Sequence, residues 1–328
     1  MNGEMLLIEA DRLIAAGQAP FAVSIVTHAA DQGDVDALFR LASWHLTGGP
    51  LPRNLTTARA ILRRATEIGH VDAALLEIAL IANGSGAPPS WETARKLLAI
   101  AARNDPVAAQ HSALLDAMTL TDNGHPASEP ASVMLAAQPD IRHYPSLMTM
   151  DECAHLANAT NDLLLPAVVV DPRTGRNVPH PVRTSDGAVI GPMRESLVVR
   201  AINQRLATIT ATDIAQGEAL TILRYRPGQQ FRPHFDSIGH ARNQRIKTVL
   251  IYLNEGFTGG ETHFPKLGVT IRPKAGDAVS FTNTLADDTT DLRSLHAGLP
   301  VVQGVKWLAT RWIRKRSFDA WAGPETVA

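Results

Sequence analysis

The segment Phe231-Arg232-Pro233-His234-Phe235-Asp236 sets two metal-ligand side chains two positions apart. In a strand, residues i and i+2 point to one face, so His234 and Asp236 can reach the same ion. His296, within Leu295-His296-Ala297-Gly298, is the candidate third ligand. Two imidazoles and one carboxylate on one face leave three coordination positions open. That donor set suits a non-heme iron(II) which must also take a co-substrate and dioxygen. A second His-x-Asp, His70-Val71-Asp72, falls in a helical pattern where i and i+2 do not share a face, and it is not expected to chelate.

Lys306 follows His296 after a Gln303-Gly304 turn. A keto acid such as 2-oxoglutarate chelates iron at one end and leaves a distal carboxylate inside a largely apolar barrel. A buried anion needs a charged partner, which Lys306 can supply. In a strand over Val305–Ile313, alternation puts Lys306, Leu308, Thr310 and Trp312 on one face, so Thr310 can add a hydroxyl to the same pocket.

These residues need strands to position them, and the pattern from Glu218 onward provides them. Short runs rich in Val, Ile, Leu, Thr and Tyr are separated by Pro227-Gly228, Asn254-Glu255-Gly256, Gly259-Gly260, Lys274-Ala275-Gly276 and Gln303-Gly304. Such spacing predicts an antiparallel sandwich or barrel. Thr149 and Glu152 are spaced as a capping box ahead of a helix containing Cys153–Leu156. Val168–Gly187 and Ser237–Gln244, rich in Gly, Pro, Asn and Arg, are expected to be mobile lids that order over substrate.

The first third of the chain has a different grammar. Gly33-Asp34-Val35-Asp36-Ala37 recurs 36 residues later as Gly69-His70-Val71-Asp72-Ala73, and more weakly as Asp105-Pro106-Val107-Ala108-Ala109. Each unit reads as two amphipathic helices, Ala37 through Leu46 and then Thr57 through Ile68. Ala58, Ile61, Leu62 and Ala65 form the buried face of the second, and Trp44 and Trp91 are expected in the core. The domain reading is 1–120 helical repeats, 121–133 linker and 134–328 catalytic domain.

With 31 Lys and Arg against 32 Asp and Glu, the 328-residue chain has no electrostatic reason to bind nucleic acid or a membrane surface. No apolar stretch approaches the ~18 residues that span a bilayer. Met1–Pro20 lacks the order of a secretory signal. The single cysteine, Cys153, cannot form an intramolecular disulfide, which points to a reducing, cytoplasmic setting.

The repeat region, over roughly Pro20–Met118, resembles Sel1-like repeats, relatives of tetratricopeptide repeats. The C-terminal half, about Ile141–Phe318, resembles the prolyl 4-hydroxylase branch of the 2-oxoglutarate, iron(II)-dependent oxygenases. That resemblance is carried by Arg183-Thr184-Ser185, Glu218, Tyr225-Arg226-Pro227-Gly228-Gln229, His234-Phe235-Asp236, Arg245 through Asn254, Gly259-Gly260-Glu261-Thr262, Lys274-Ala275-Gly276-Asp277, His296 and Lys306-Trp307.

It implies an N-terminal all-α repeat domain joined to an α+β double-stranded β-helix (jelly-roll) dioxygenase. By the same resemblance, His234, Asp236 and His296 bind Fe(II), and Lys306 holds 2-oxoglutarate in a pocket lined by Tyr225, Tyr252 and Thr310. Arg183, Ser185, Glu218, Phe231, Arg245 and Trp312 match substrate-facing positions. Relatives often carry Tyr where Phe231 stands, so one hydroxyl contact is missing. O2 is the co-substrate and ascorbate the reductant. The implied reaction is hydroxylation of an unactivated C–H bond, with release of succinate and CO2. The expected target is a prolyl residue in a peptide or protein, recruited by the repeats. Two other readings stand beside it: hydroxylation of a free amino acid or other small molecule, and a non-catalytic helical-repeat scaffold.

Overall fold

The computed structural model describes residues 3–170, 173–272 and 274–322. Two compact units make up the chain. One comprises residues 1–118 with 122–124 and 192–200, and the other comprises residues 119–121, 125–191 and 201–328.

The first unit is built from α1 (Gly3–Ala15), α2 (Ala19–Asp31), α3 (Val35–Thr47), α4 (Leu55–Ile68), α5 (Val71–Asn83), α6 (Trp91–Ala101) and α7 (Pro106–Ala117). The sequence period reappears in the helix caps. Asn54 and Ser90 cap α4 and α6, 36 residues apart, each taking a backbone N–H three residues on. Asp34, His70 and Asp105 cap α3, α5 and α7 in the same way, with the last unit one residue shorter. His70 is therefore a cap: its Nδ1 accepts from the Ala73 N–H, the first-turn task that Asp34 performs one repeat earlier. Helices α3 and α4 begin two residues ahead of the predicted starts because the caps set their entry. Gly69, at φ +106°, ends α4 in a left-handed conformation that a side chain would strain.

Ala58, Leu62 and Ala65 are buried as the periodicity predicts, and Ile61 is half-buried. Trp44 is buried, and the Trp91 ring lies where a Cβ on Gly124 would stand. Unexpectedly, Arg59 is buried too, and its guanidinium meets Glu77 of α5 at 3.1 Å. Among the described residues, no helix is long and apolar enough to cross a membrane.

Among the described residues, the second unit holds α8 (Met150–Asn158), α9 in part (Leu197–Thr210) and sixteen strands. In chain order these are β1 (Val133–Ala136), β2 (Ile141–Tyr144), β3 (Leu165–Pro166), β4 (Val168–Val170), β5 (Asn177–Pro179), β6 (Asp186–Ile190), β7 (Leu220–Tyr225) and β8 (Phe231–His234). After them come β9 (Arg245–Tyr252), β10 (Thr258–Gly259), β11 (Thr262–Phe264), β12 (Val269–Ile271), β13 (Ala278–Thr282), β14 (His296–Gly298), β15 (Val301–Gln303) and β16 (Lys306–Arg314).

Eight form an antiparallel sheet in the order β1-β2-β13-β9-β16-β7-β6-β3, and four form a smaller sheet, β12-β11-β14-β8. One apolar core joins them, with Leu223, Leu250, Tyr252, Val279, Phe281 and Leu308 from the large sheet and Phe264 and Ile271 from the small one. This is the double-stranded β-helix. The predicted capping box is present on α8, where Thr149 and Glu152 satisfy each other's backbone N–H groups. Of the two expected lids, Val168–Gly187 carries the β4–β5 hairpin, and its residues Asp171 and Pro172 lie outside the described residues.

Candidate active site

β8 and β14 pair so that His234 stands opposite His296, and Asp236 follows two residues after His234. One ligand atom from each of the three lies within 4.8 Å of the others. Asp236 Oδ1 is 3.7 Å from His234 Nε2, and Asp236 Oδ2 is 3.6 Å from His296 Nε2. Each imidazole has its other nitrogen against a backbone carbonyl: His234 Nδ1 lies 2.8 Å from Arg232 O, and His296 Nδ1 3.0 Å from Ser294 O. A carbonyl only accepts, so both protons sit on Nδ1 and both Nε2 lone pairs are free to bind a cation. Burial and the neighbouring His296 push the His234 imidazole down to about 4, which keeps it neutral and able to donate near pH 7.

The carboxylate is oriented from β9. Thr248 donates its hydroxyl to Asp236 Oδ2 at 2.7 Å, and Asn283 Nδ2 donates to Thr248 Oγ1 at 2.9 Å. Sequence reasoning missed both residues. Stepping back by twos from Tyr252 along β9 would have found Thr248, on the same strand face as Leu250 and Tyr252. The donor set, the fixed tautomers and the buttressed carboxylate fit a divalent metal with open coordination positions.

The triad lines a pocket of roughly 400 Å³, counting its open mouth, between the two sheets. Lys306, Leu308, Thr310 and Trp312 all line it, as strand alternation requires. Lys306 is 2% exposed, yet no carboxylate among the described residues lies within ion-pair distance of its ammonium. It donates instead to Gly260 O at 2.6 Å and lies 5.5 Å from the Tyr225 ring and 5.4 Å from the Tyr252 ring. Burial lowers its pKa to about 8. Gly260 thus does more than turn the chain. At φ +70°, a Cβ there would stand 3.1 Å from Lys306 Cδ.

Tyr225 lines the pocket, and burial pushes its phenol up to about 12, so the hydroxyl remains a donor. Tyr252 is shifted upward by burial as well, and its hydroxyl bonds Thr262 Oγ1 at 2.7 Å.

The remaining site residues divide into two groups. Phe231 and Trp312 line the pocket, and Phe231 stacks on the His234 ring at 3.4 Å between centroids. Arg183 Nε and Trp312 Nε1 are buried without hydrogen-bond partners among the described residues, and Ser185 is buried beside Tyr225. Glu218 and Arg245, by contrast, are engaged with each other. Arg245 donates to Glu218 Oε1 at 2.5 Å and to Oε2 at 2.8 Å, and Arg314 adds a bond to Oε1 at 2.6 Å. The Arg245 guanidinium lies 4.0 Å from the centre of the Trp312 ring, so this cluster braces a pocket wall. Arg314 was not singled out from the sequence, where it reads as one cation in a basic C-terminal run.

The 2OG-Fe(II) oxygenase superfamily model matches residues 220–314. Probable prolyl 4-hydroxylase 10 of Arabidopsis thaliana is 32% identical over 209 residues, covering 56% of this chain and 72% of its own length. The chain belongs to the prolyl 4-hydroxylase family. As a member of it, this protein is a 2-oxoglutarate-dependent dioxygenase, and the family implies Fe(II) and 2-oxoglutarate. Among solved structures, the 2OG complex of the viral collagen prolyl hydroxylase from Paramecium Bursaria Chlorella virus-1 is 27% identical. That match covers 53% of this chain and 95% of that one, with a TM-score of 0.43. The repeats of the dioxygenase align with a Sel1 repeat protein from Oxalobacter formigenes, 18% identical over 33% of this chain and 85% of that one, with a TM-score of 0.30.

Proposed function

We propose that this dioxygenase hydroxylates a prolyl residue in a peptide or protein and converts 2-oxoglutarate to succinate and CO2. His234, Asp236 and His296 hold Fe(II), which supplies the activation of dioxygen needed to attack an unactivated C–H bond. The observation that carries this reading is Lys306. It is a buried ammonium with no carboxylate at ion-pair distance among the described residues, in the same pocket as three metal-ligand side chains. Such an ammonium suits the distal carboxylate of 2-oxoglutarate, with Thr310 and the Tyr225 hydroxyl beside it and Tyr252 packed against the lysine.

Arg183, Ser185, Phe231 and Trp312 receive the substrate, and Glu218 and Arg245 hold the Trp312 wall. The prolyl target is supported by the relatedness to prolyl 4-hydroxylases. The helical repeats recruit the protein that carries the target, since arrays of this type present extended surfaces. Ascorbate serves as reductant.

The test is 2-oxoglutarate turnover with iron(II) and ascorbate, comparing the wild type with His234→Ala, with and without proline-rich peptides. Succinate that disappears in the variant, together with hydroxylated peptide by mass spectrometry, is expected. Iron-loaded wild type that forms no succinate under any of these conditions overturns the proposal.

A further inference from the structure

His180 stands at the end of the β4–β5 hairpin, directly after β5. Its backbone N–H donates to Ala167 O at 3.0 Å, which ties it to the start of the same hairpin. Its Nδ1 accepts two backbone protons, from Val182 at 3.1 Å and from Arg183 at 3.0 Å. A nitrogen that accepts carries no proton, so the neutral ring is fixed with its proton on Nε2. That Nε2–H has no hydrogen-bond partner among the described residues. Burial and the nearby Arg183 both disfavour the charged form.

The ring meets Phe231 edge-to-face, with centroids 6.4 Å apart. Phe231 in turn stacks on the metal-ligand candidate His234 and lines the pocket. One aromatic ring therefore separates His180 from the triad. Phe231 has no polar atom, and Arg232, the next side chain at this rim, already donates to Pro181 O at 3.3 Å. His180 is thus a half-buried, tautomerically fixed donor one ring from the pocket lining, without a partner among the described residues.

We infer that His180 is a specificity-determining residue whose Nε2–H donates to a backbone carbonyl of the bound peptide, beside the residue that enters the pocket. The inference rests on the peptide-substrate reading above.

The two are separable with His180→Asn. The Asn Oδ1 stands where Nδ1 does and keeps the turn to Val182 and Arg183, but the amide is too short to replace Nε2–H. KM for a proline-rich peptide is expected to rise about tenfold, as loss of one neutral hydrogen bond predicts. Uncoupled succinate formation and the 2-oxoglutarate KM stay at wild-type values. His180→Gln, which can extend a donor to the Nε2 position, is expected to recover part of the loss. An unchanged peptide KM in His180→Asn overturns the donor role while leaving peptide hydroxylation standing. Wild type that no peptide stimulates overturns both.

Discussion

His234 and His296 face one another across the β8–β14 pair, ring centroids 4.2 Å apart, and each gives its Nδ1–H to the carbonyl two residues before it. The same local device, used on two strands, aims both Nε2 atoms at Asp236. The site is thus held by backbone geometry that forms as soon as the strands pair, and orienting partners of this kind set ligand direction in metal centres.

Thr248→Val removes the hydroxyl that orients Asp236 and strands the Asn283 amide behind it. Metal affinity should fall about 10- to 100-fold with the fold intact. Titration of the metal-free protein with Fe(II) or Mn(II), alongside circular dichroism, checks this. Unchanged affinity would remove Thr248 from the metal centre.

For Lys306 the pH dependence has a definite sign. Its folded pKa is lowered to about 8, below the ordinary lysine value, so the ligand-free protein loses the ammonium as pH rises through about 8. If the distal carboxylate of 2-oxoglutarate needs that charge, affinity is flat below pH 7. Above about pH 8 it declines, approaching about tenfold per pH unit. Lys306→Met should bind 2-oxoglutarate at least about 30-fold more weakly and show no such decline. Anaerobic calorimetry with Ni(II) in place of iron reads both.

In the repeats, Glu77→Ala leaves Arg59 buried without its carboxylate. The cost should be about 3–5 kcal/mol, seen as a lowered melting transition. Replacing both residues with leucine should restore most of that loss, because the apolar pair needs no solvation. A Glu77→Ala protein as stable as wild type would show that the pair contributes nothing.

Cys153 is fully buried on α8, and burial, reinforced by the adjacent Glu152, pushes its thiol up to about 11. Thiolate is scarce at neutral pH and no reagent can approach. Alkylation by iodoacetamide at pH 7.5 should therefore be negligible in the native protein and rapid in denaturant. Fast labelling of the folded protein would contradict this burial.

Much of the site could be read before any fold was known, because strand and helix periods are local properties. Alternation placed Lys306, Leu308, Thr310 and Trp312 on one pocket face, and helical geometry rejected His70 and Asp72 as ligands; His70 caps α5. The sequence by itself therefore determined which ligand types were available and which of them share a strand face.

Tertiary structure decided everything that depends on a partner distant along the chain. The Thr248 and Asn283 support of Asp236, the Gly260 carbonyl on Lys306 and the closing of Arg314 onto Glu218 join residues that no local pattern links. The early strands of the large sheet went unread for the same reason. β1 and β3 are short and exposed, without the alternation that burial of one face imposes, and only pairing with β2 and β6 makes them strands. The neutrality of the His234 imidazole likewise comes from burial and from His296 on the paired strand. Side-chain chemistry is carried by the chain, but its direction and charge state belong to the packed interior.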